Sequence, residues 1–340
     1  MKFKVGIIGC GNIFPMHAYP VWALENCELA AVCDNKEDRV NKAAKEFNCK
    51  AYTNYEEMFD REELDVAHVC TPHYLHPPMV IKALEKGCHV LTEKPMSTNY
   101  EDAVKMVETA DRTGKTLGVI FQNRYNPGSA LAKKILDSGE LGKVLGAKLD
   151  VTWMRTDEYY SKSDWKGTWD KEGGGVLIDQ AIHTFDLLRW LLDSEPEYVD
   201  CHLENRTHKL IEVEDEADGV IRFKNGVLAS FYTINYYSED SDVHLQLHCE
   251  NGKIDITADV AVISMKDGRK YEANKAPGES FPYGNSKSYW GVSHIKQIEA
   301  FYNSLAKGEK PFIDGRDALG TMKMIFGLYD SGRQKKSITF

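Results

Sequence analysis

The sequence has no CxxC pair, although it carries 8 cysteines (Cys10, Cys27, Cys33, Cys49, Cys70, Cys88, Cys201 and Cys249) scattered through its 340 residues. Without paired spacing it encodes neither a zinc ribbon nor a disulfide frame, and several of these cysteines sit inside apolar runs, as reduced core thiols of a cytoplasmic protein do. No bound metal is expected. The sequence also lacks any apolar run near the ~20 residues that span a bilayer. Its opening, "MKFKVGIIGCGN", has too short an apolar part for a secretory leader, so the mature chain is expected to start near Met1 and to be soluble. Positive charge is in deficit: 42 Lys and Arg stand against 52 Asp and Glu, a formal net charge of -10. That balance repels a phosphate backbone and argues against nucleic acid as a partner. There is no internal repeat and no low-complexity tract. What remains is an ordinary globular composition, 42% hydrophobic and 28% charged, in a chain long enough to favour two domains.

Residues 3–9, "FKVGIIG", form a β-branched apolar run closed by glycine, which suits a strand buried on both faces. Further buried-strand candidates are 28–34, 65–71, 88–93 and 116–121. Helix-period segments lie between them at 36–47, 75–86 and 99–113. Strand and helix alternating at this spacing predict an α/β domain with a doubly wound parallel sheet over residues 1–122. In that layout Gly9, Gly11, Asn12 and Ile13 occupy the first strand-to-helix turn, where backbone can approach a pyrophosphate at a helix N-terminus. Asp34 closes the next strand 25 residues after Gly9, where an acid accepts hydrogen bonds from ribose hydroxyls and repels a 2′-phosphate. NAD is therefore expected over NADP, with nearby Arg39 as a second cofactor neighbour. Phe14 stands where a third small residue would allow close helix packing, and Pro15 and Pro20 predict an irregular helix start. The bland alternative is a glycine turn in a doubly wound domain that binds another ligand.

Ligands of open parallel sheets bind outside the carboxyl ends of the strands. Thr71-Pro72-His73 and Thr92-Glu93-Lys94-Pro95 occupy two such ends. Exposed charges in loops usually need no explanation. Here, however, Pro95 pushes Lys94 out of the α region and holds it on a stiff extended segment. A lysine beside a nicotinamide can hold or polarise a substrate hydroxyl.

From residue 123 the pattern changes to an α+β domain, 123–340, with a large, mostly antiparallel open sheet. Its strands are read at 215–224, 227–236, 243–249, 253–257 and 260–265, with hairpin turns at Asn225-Gly226, Asn251-Gly252 and Asp267-Gly268. One sheet face has to be covered, by helices or by a second subunit. Residues 274–288 read as a long surface loop. In "GGGVLIDQAIHTFDLLRW", residues 173–190, Leu177, Ala181, Phe185, Leu188 and Leu192 form one buried helical stripe. Asp179 and His183, four apart, stack on another face, with Asp186 one turn on. An acid and a histidine at this spacing are either a surface pair or a catalytic pair, in which the carboxylate orients an imidazole that takes the hydroxyl proton.

Together "GIIGCGNI", "CTPHYLH", "EKP" and "GGGVLIDQAIHTFDLLRWL" resemble the glucose-fructose oxidoreductase and inositol dehydrogenase family, Gfo/Idh/MocA, in order and spacing. The likeness extends through "IEVEDEADGVIRFKNG" and "QIEAFYNSLAKGEKPFIDGRDAL". It implies an NAD(P)-dependent dehydrogenase of a sugar, polyol or sugar derivative, with a Rossmann domain first and a second domain for substrate and for assembly into a homodimer or homotetramer. C-terminal helices are allowed to pack back on the first domain. It further implies that Lys94 touches cofactor and substrate, that the Lys94–Pro95 bond is cis, and that Asp179 and His183 complete the catalytic set. Thr71 and His76 become cofactor neighbours, and His73 departs from the family's usual asparagine. Arg155, Tyr160, Trp165 and Lys166 are implied to line the pocket, Trp165 and Lys166 towards the cofactor and Arg155 and Tyr160 towards substrate. For Trp165 and Trp169, hydrophobic cover over a loop is an equal alternative. Gln122, Asn123 and Arg124 follow the last strand of the first domain, with Gln122 expected at the cofactor and Arg124 at the substrate. Glu93 either anchors Lys94 or faces the nicotinamide ribose. Two other readings stay open: a glycosidase or lyase that uses NAD transiently, and a non-enzymatic NAD-binding sensor.

Overall fold

A computed structural model describes residues 2–273 and 288–340, with side chains from 293 onward in the second stretch. All of the expected 274–288 loop except Ser288 lies outside the described residues. The chain divides into two compact units, Met1–Gln122 with Gly278–Leu319, and Asn123–Pro277 with Gly320–Phe340.

The first unit runs β1 (Phe3–Ile8), α1 (Phe14–Ala23), β2 (Cys27–Cys33), α2 (Glu37–Phe47), β3 (Lys50–Tyr52), α3 (Tyr55–Arg61), β4 (Val66–Val69), α4 (His76–Glu85), β5 (His89–Thr92), α5 (Tyr100–Thr113) and β6 (Leu117–Val119). Its six strands are parallel in the order β3-β2-β1-β4-β5-β6. The order reverses beside β1, so the crevice at the carboxyl ends of β1 and β4 is where a doubly wound sheet takes its ligand. The expected strands and helices are present. The pair β3–α3 was not anticipated, because β3 has only three residues and none is buried. Its helix is signalled by Asn54, whose side chain accepts the Glu56 and Glu57 N–H groups as an N-cap does. Phe14 takes the place of a small residue by turning into the core against Phe47, with ring centroids 5.7 Å apart.

The second unit contains α6 (Pro127–Asp137), β7 (Val144–Thr152), α7 (Asp157–Ser161), α8 (Ile182–Leu192), β8 (Pro196–Glu204), β9 (Glu216–Phe223), β10 (Leu228–Ile234), β11 (His244–Cys249), β12 (Gly252–Thr257), β13 (Val260–Met265) and β14 (Lys270–Ala273). The next helix, α9 (Ser288–Lys307), is a C-terminal helix that returns to the first unit, where Ile298, Phe301 and Tyr302 enter the core. Then α10 (Gly315–Gln334) carries the chain back to the second unit, which ends in β15 (Ile338–Thr339).

The nine-stranded sheet has the order β14-β13-β12-β11-β7-β10-β9-β8-β15. All its pairings are antiparallel except β7 with β10. The three expected hairpins join β9 to β10, β11 to β12 and β13 to β14. On one face Phe185 of α8 packs edge-on against Phe231 of β10, with centroids 5.2 Å apart. The Leu177, Ala181, Phe185, Leu188 and Leu192 stripe is buried as its spacing requires.

Gly9 shows why the first turn needs glycine on structural grounds alone. Its φ is +97°, and a Cβ there would stand 2.5 Å from the Cys70 carbonyl oxygen. Gly9→Ala is expected to lower stability by about 1–3 kcal/mol, read as a reduced denaturant midpoint with no change in slope.

Candidate active site

In the first unit the residues expected at a cofactor gather at the strand ends. Cys10 N–H donates to Asp34 Oδ2 at 2.8 Å and Lys36 N–H to Oδ1 at 2.8 Å, so the acid stitches the ends of β1 and β2 together. Each carboxylate oxygen retains capacity for a further donor. The Cys10 thiol, half-buried beside Asp34 and close to the Cys33 carbonyl, is pushed up to about 12 by burial first and by Asp34 second. Asn12 and Arg39 are exposed, and Ile13 is half-buried. A Cβ on Gly11 would meet nothing within 4 Å. Unlike Gly9, Gly11 is therefore not demanded by neighbouring protein atoms, and its open side is the kind of space a close-lying pyrophosphate uses. Gln122, 2% exposed, has its Oε1 buried without a partner, a stranded acceptor of the kind a bound carboxamide satisfies. The residues present therefore fit a dinucleotide.

The Lys94–Pro95 bond is cis. His76 is fully buried and spans two strand-end loops, its Nδ1 2.7 Å from the Pro95 carbonyl oxygen and its Nε2 2.8 Å from that of Thr71. Expected as a cofactor neighbour, it lies between the two loops with one ring nitrogen beside each carbonyl. Glu93 is buried, and three groups surround its carboxylate: His17 Nε2 at 3.0 Å and His294 Nε2 at 3.3 Å from Oε1, and the Lys94 backbone N–H, which donates to Oε2 at 3.2 Å. Burial alone would raise this carboxyl, but the contacts with His17 and His294 outweigh it and hold the group well below the usual carboxylate range. His17, Glu93 and His294 also form a convergent set of three potential ligand atoms, which sequence reading missed because His17 and His294 are far apart in the chain.

In the second unit Asp179 lies in a single stretch of π-helix, Val176–Ala181, that runs into α8. Such widened turns often mark functional sites. The start of this stretch is fixed by Glu214, which accepts the Gly175 and Leu177 N–H groups and the Tyr329 hydroxyl at 2.8–3.1 Å. A Cβ on Gly175 would lie 1.9 Å from the Glu214 carbonyl oxygen, so here glycine permits a close backbone approach. Asp179 Oδ2 accepts from Lys166 Nζ at 2.8 Å, Tyr159 Oη at 3.1 Å and Gln180 Nε2 at 2.5 Å. Lys166 also reaches Glu172 at 3.2 Å and sits over the Trp165 and Tyr159 rings. His183 is half-buried in the first turn of α8.

Several pocket residues differ from expectation. Tyr160 is 4% exposed and packs with Ile211 and Val213, its hydroxyl accepting from Asn235. The neighbouring Tyr159 is the one that reaches Asp179. Arg124, expected at the substrate, is buried and forks onto Asp186 at 2.8 and 2.6 Å, with Thr321 also donating to that acid. The geometry is that of a structural ion pair. Asp186, taken as the next residue on a polar face, is therefore buried. Arg155 bonds Asp240 at 2.8 Å and lies over the Trp153 and Tyr159 rings. Trp169 provides cover, its indole N–H donating to the Glu212 carbonyl and its ring meeting Tyr329.

The first unit matches the family model described as the oxidoreductase family with an NAD-binding Rossmann fold, over residues 3–121. Residues 129–255 match the GFO/IDH/MocA C-terminal domain. The chain belongs to the Gfo/Idh/MocA family of oxidoreductases. Similar proteins include the myo-inositol 2-dehydrogenase of Thermotoga maritima, 24% identical with 98% of each chain covered. Another is the glucose-6-phosphate 3-dehydrogenase of Bacillus subtilis, 30% identical over 68% of this chain and 67% of the relative. Among solved structures, the WlbA dehydrogenase of Bordetella pertussis, crystallised with NADH and UDP-GlcNAcA, superposes with a TM-score of 0.87 at 26% identity, covering 100% of this chain and 98% of that one. The chain is an NAD-binding oxidoreductase of this family. Among the described residues no helix is long and apolar enough to cross a membrane.

Beside Lys166, burial pushes the Glu172 carboxyl above the usual range, and Lys166 only partly offsets it. A native value above the unfolded one means that this group's contribution to stability is complete below about pH 4.3, the unfolded value, and is lost as pH climbs through the native value. Compared with Glu172→Gln, wild type is expected to lose stability as pH rises from 5 to 8.5, by up to about 1.4 kcal/mol per pH unit inside that window. Paired denaturation curves at the two pH values measure the difference.

Proposed function

We propose that the protein is an NAD-dependent dehydrogenase that interconverts a secondary alcohol and a ketone on a sugar, polyol or sugar derivative. The observation that carries this reading is the Asp179 site. One carboxylate oxygen is occupied by a lysine, a tyrosine and an amide donor, an arrangement that fixes a charged acid in orientation. Its relatives' names, myo-inositol 2-dehydrogenase and glucose-6-phosphate 3-dehydrogenase among them, support the substrate class. NAD, when bound, accepts or returns the hydride.

In this mechanism Lys94 holds and polarises the reacting oxygen. His183 takes the hydroxyl proton on oxidation and returns it on reduction. Asp179 cannot readily serve as the base, because an oxygen already accepting from Lys166 is a poor proton acceptor. It orients His183 and accepts a neighbouring substrate hydroxyl. Arg155 and Lys166, which flank Tyr159 and Asp179 in the second unit, bind substrate. Arg124, Tyr160 and Asp186 belong to the scaffold behind them. Gly11, Asp34, Thr71 and Gln122 face the dinucleotide. The assembly is a homodimer or homotetramer, with the side of the large sheet that exposes Leu228 and Tyr232 as its contact surface.

A panel of polyols, sugars and sugar acids followed by NADH absorbance identifies the substrate. Lys94→Met, Asp179→Asn and His183→Ala should then each lower kcat by about 10²–10⁴, and near wild-type turnover in all three would refute the assignment. Fluorescence titration should show NADH binding at least about tenfold more tightly than NADPH, because Asp34 opposes a 2′-phosphate. Tighter NADPH binding would show that Arg39 dominates instead.

A further inference from the structure

Behind the Lys94 segment runs a fully buried file of side chains that the proposed reaction does not use. It begins at Tyr302 on α9, whose hydroxyl lies 2.8 Å from His68 Nε2. His68 Nδ1 lies 2.9 Å from His17 Nδ1, and His17 Nε2 lies 3.0 Å from Glu93 Oε1. Tyr302, His68 and His17 are each 0% exposed. A histidine at the centre of β4, where both faces of the sheet are covered, is out of place unless both ring nitrogens are paired. Burial, the largest influence on each, holds His17 below its usual range and His68 well below it, so both are neutral.

Neutral imidazoles permit one consistent assignment of protons. Ionised Glu93 can only accept, so His17 carries its hydrogen on Nε2 and offers Nδ1 as an acceptor. His68 must then carry its hydrogen on Nδ1, which leaves its Nε2 to accept from the Tyr302 hydroxyl. The file therefore runs in one direction, from tyrosine to carboxylate, and ends on the group that holds the Lys94 N–H through Oε2. On the other side of Lys94, the Pro95 carbonyl is held by His76.

We infer that Glu93 is a positioning residue: the Tyr302–His68–His17 file, with His294, holds its carboxylate as a buried anion that fixes the backbone of Lys94, and Glu93 touches neither cofactor nor substrate. This role rests on the catalytic reading of Lys94. In Glu93→Gln the amide oxygen can still accept from His17, but the amide nitrogen then meets the Lys94 N–H donor to donor. Lys94 is displaced while the dinucleotide turn is left intact.

The proton assignment is read directly on the full-length protein by ¹⁵N NMR of histidine-labelled samples, with the signals assigned through His68→Asn and His17→Gln. His68 is expected as the Nδ1–H form and His17 as the Nε2–H form. The reverse pair, or a protonated His17, overturns the file. Kinetically, Glu93→Gln should lower kcat by about 10²-fold while the NADH dissociation constant and the sugar KM stay within threefold. Tyr302→Phe should lower kcat less, because it removes the link farthest from Glu93 and leaves the His68 Nδ1–H bonded to His17. An unchanged kcat with NADH binding weakened tenfold or more makes Glu93 a cofactor ligand and overturns the inference. Turnover surviving Lys94→Met overturns the catalytic reading and this role with it. An inactive Lys94→Met beside a fully active Glu93→Gln overturns the positioning role alone. A divalent ion retained in molar ratio after dialysis against EDTA, and lost in His17→Gln, would make His17, Glu93 and His294 metal ligands and overturn it as well.

Discussion

Parallel strands in an open sheet end with backbone groups that no neighbouring strand satisfies, and nearly everything of interest in the first unit follows from how those ends are tied off. Asp34 joins the turn after β1 to the one after β2 through the Cys10 and Lys36 N–H groups. His76 joins the ends of β4 and β5 through two carbonyls. Glu93 accepts the N–H of the residue that follows it. Each tie is a polar side chain at the rim of the crevice where a doubly wound sheet takes its ligand, so the demands of the backbone and of chemistry fall on the same residues.

The second unit meets a similar demand by another device. Glu214 satisfies the start of the π-helical stretch that carries Asp179, and Tyr329 braces Glu214 from α10. Arg124 and Asp186 fasten α8 from behind, with Thr321 as a third partner. Removing one member of such a buried pair typically costs about 3–5 kcal/mol. That magnitude explains why an arginine resembling a substrate ligand in sequence is committed to the scaffold. Gly174 and Gly175 have the same origin, since a Cβ at the first would meet the Tyr329 hydroxyl and one at the second the Glu214 backbone.

Legibility in the sequence depended on whether a residue's role was local. The apolar runs of β1, β2, β4, β5 and β6, the asparagine-glycine hairpins and the α8 stripe were readable because each is set by near neighbours. The choice between Tyr159 and Tyr160 was not, because one residue's shift turns the side chain from the Asp179 carboxylate into the Ile211 and Val213 cluster. The return of a C-terminal helix to the first unit was allowed by the family resemblance alone, because helical periodicity shows an apolar face without saying what covers it. His68 did leave a signal, a histidine in the middle of an otherwise apolar strand. Its meaning depended on His17, Glu93 and Tyr302, which the chain brings together from separate elements.

Cys10, between the two glycines of the dinucleotide turn, would on sequence alone invite interest as a reactive thiol. Its sulfur lies near the Cys33 carbonyl, beside the Asp34 carboxylate, and both burial and that negative neighbour keep it protonated well above neutral pH. Thiolate is the form that reacts with alkylating agents and peroxides. The acid that ties the ends of β1 and β2 therefore also shields the glycine turn chemically, leaving its thiol poorly susceptible to electrophiles and oxidants.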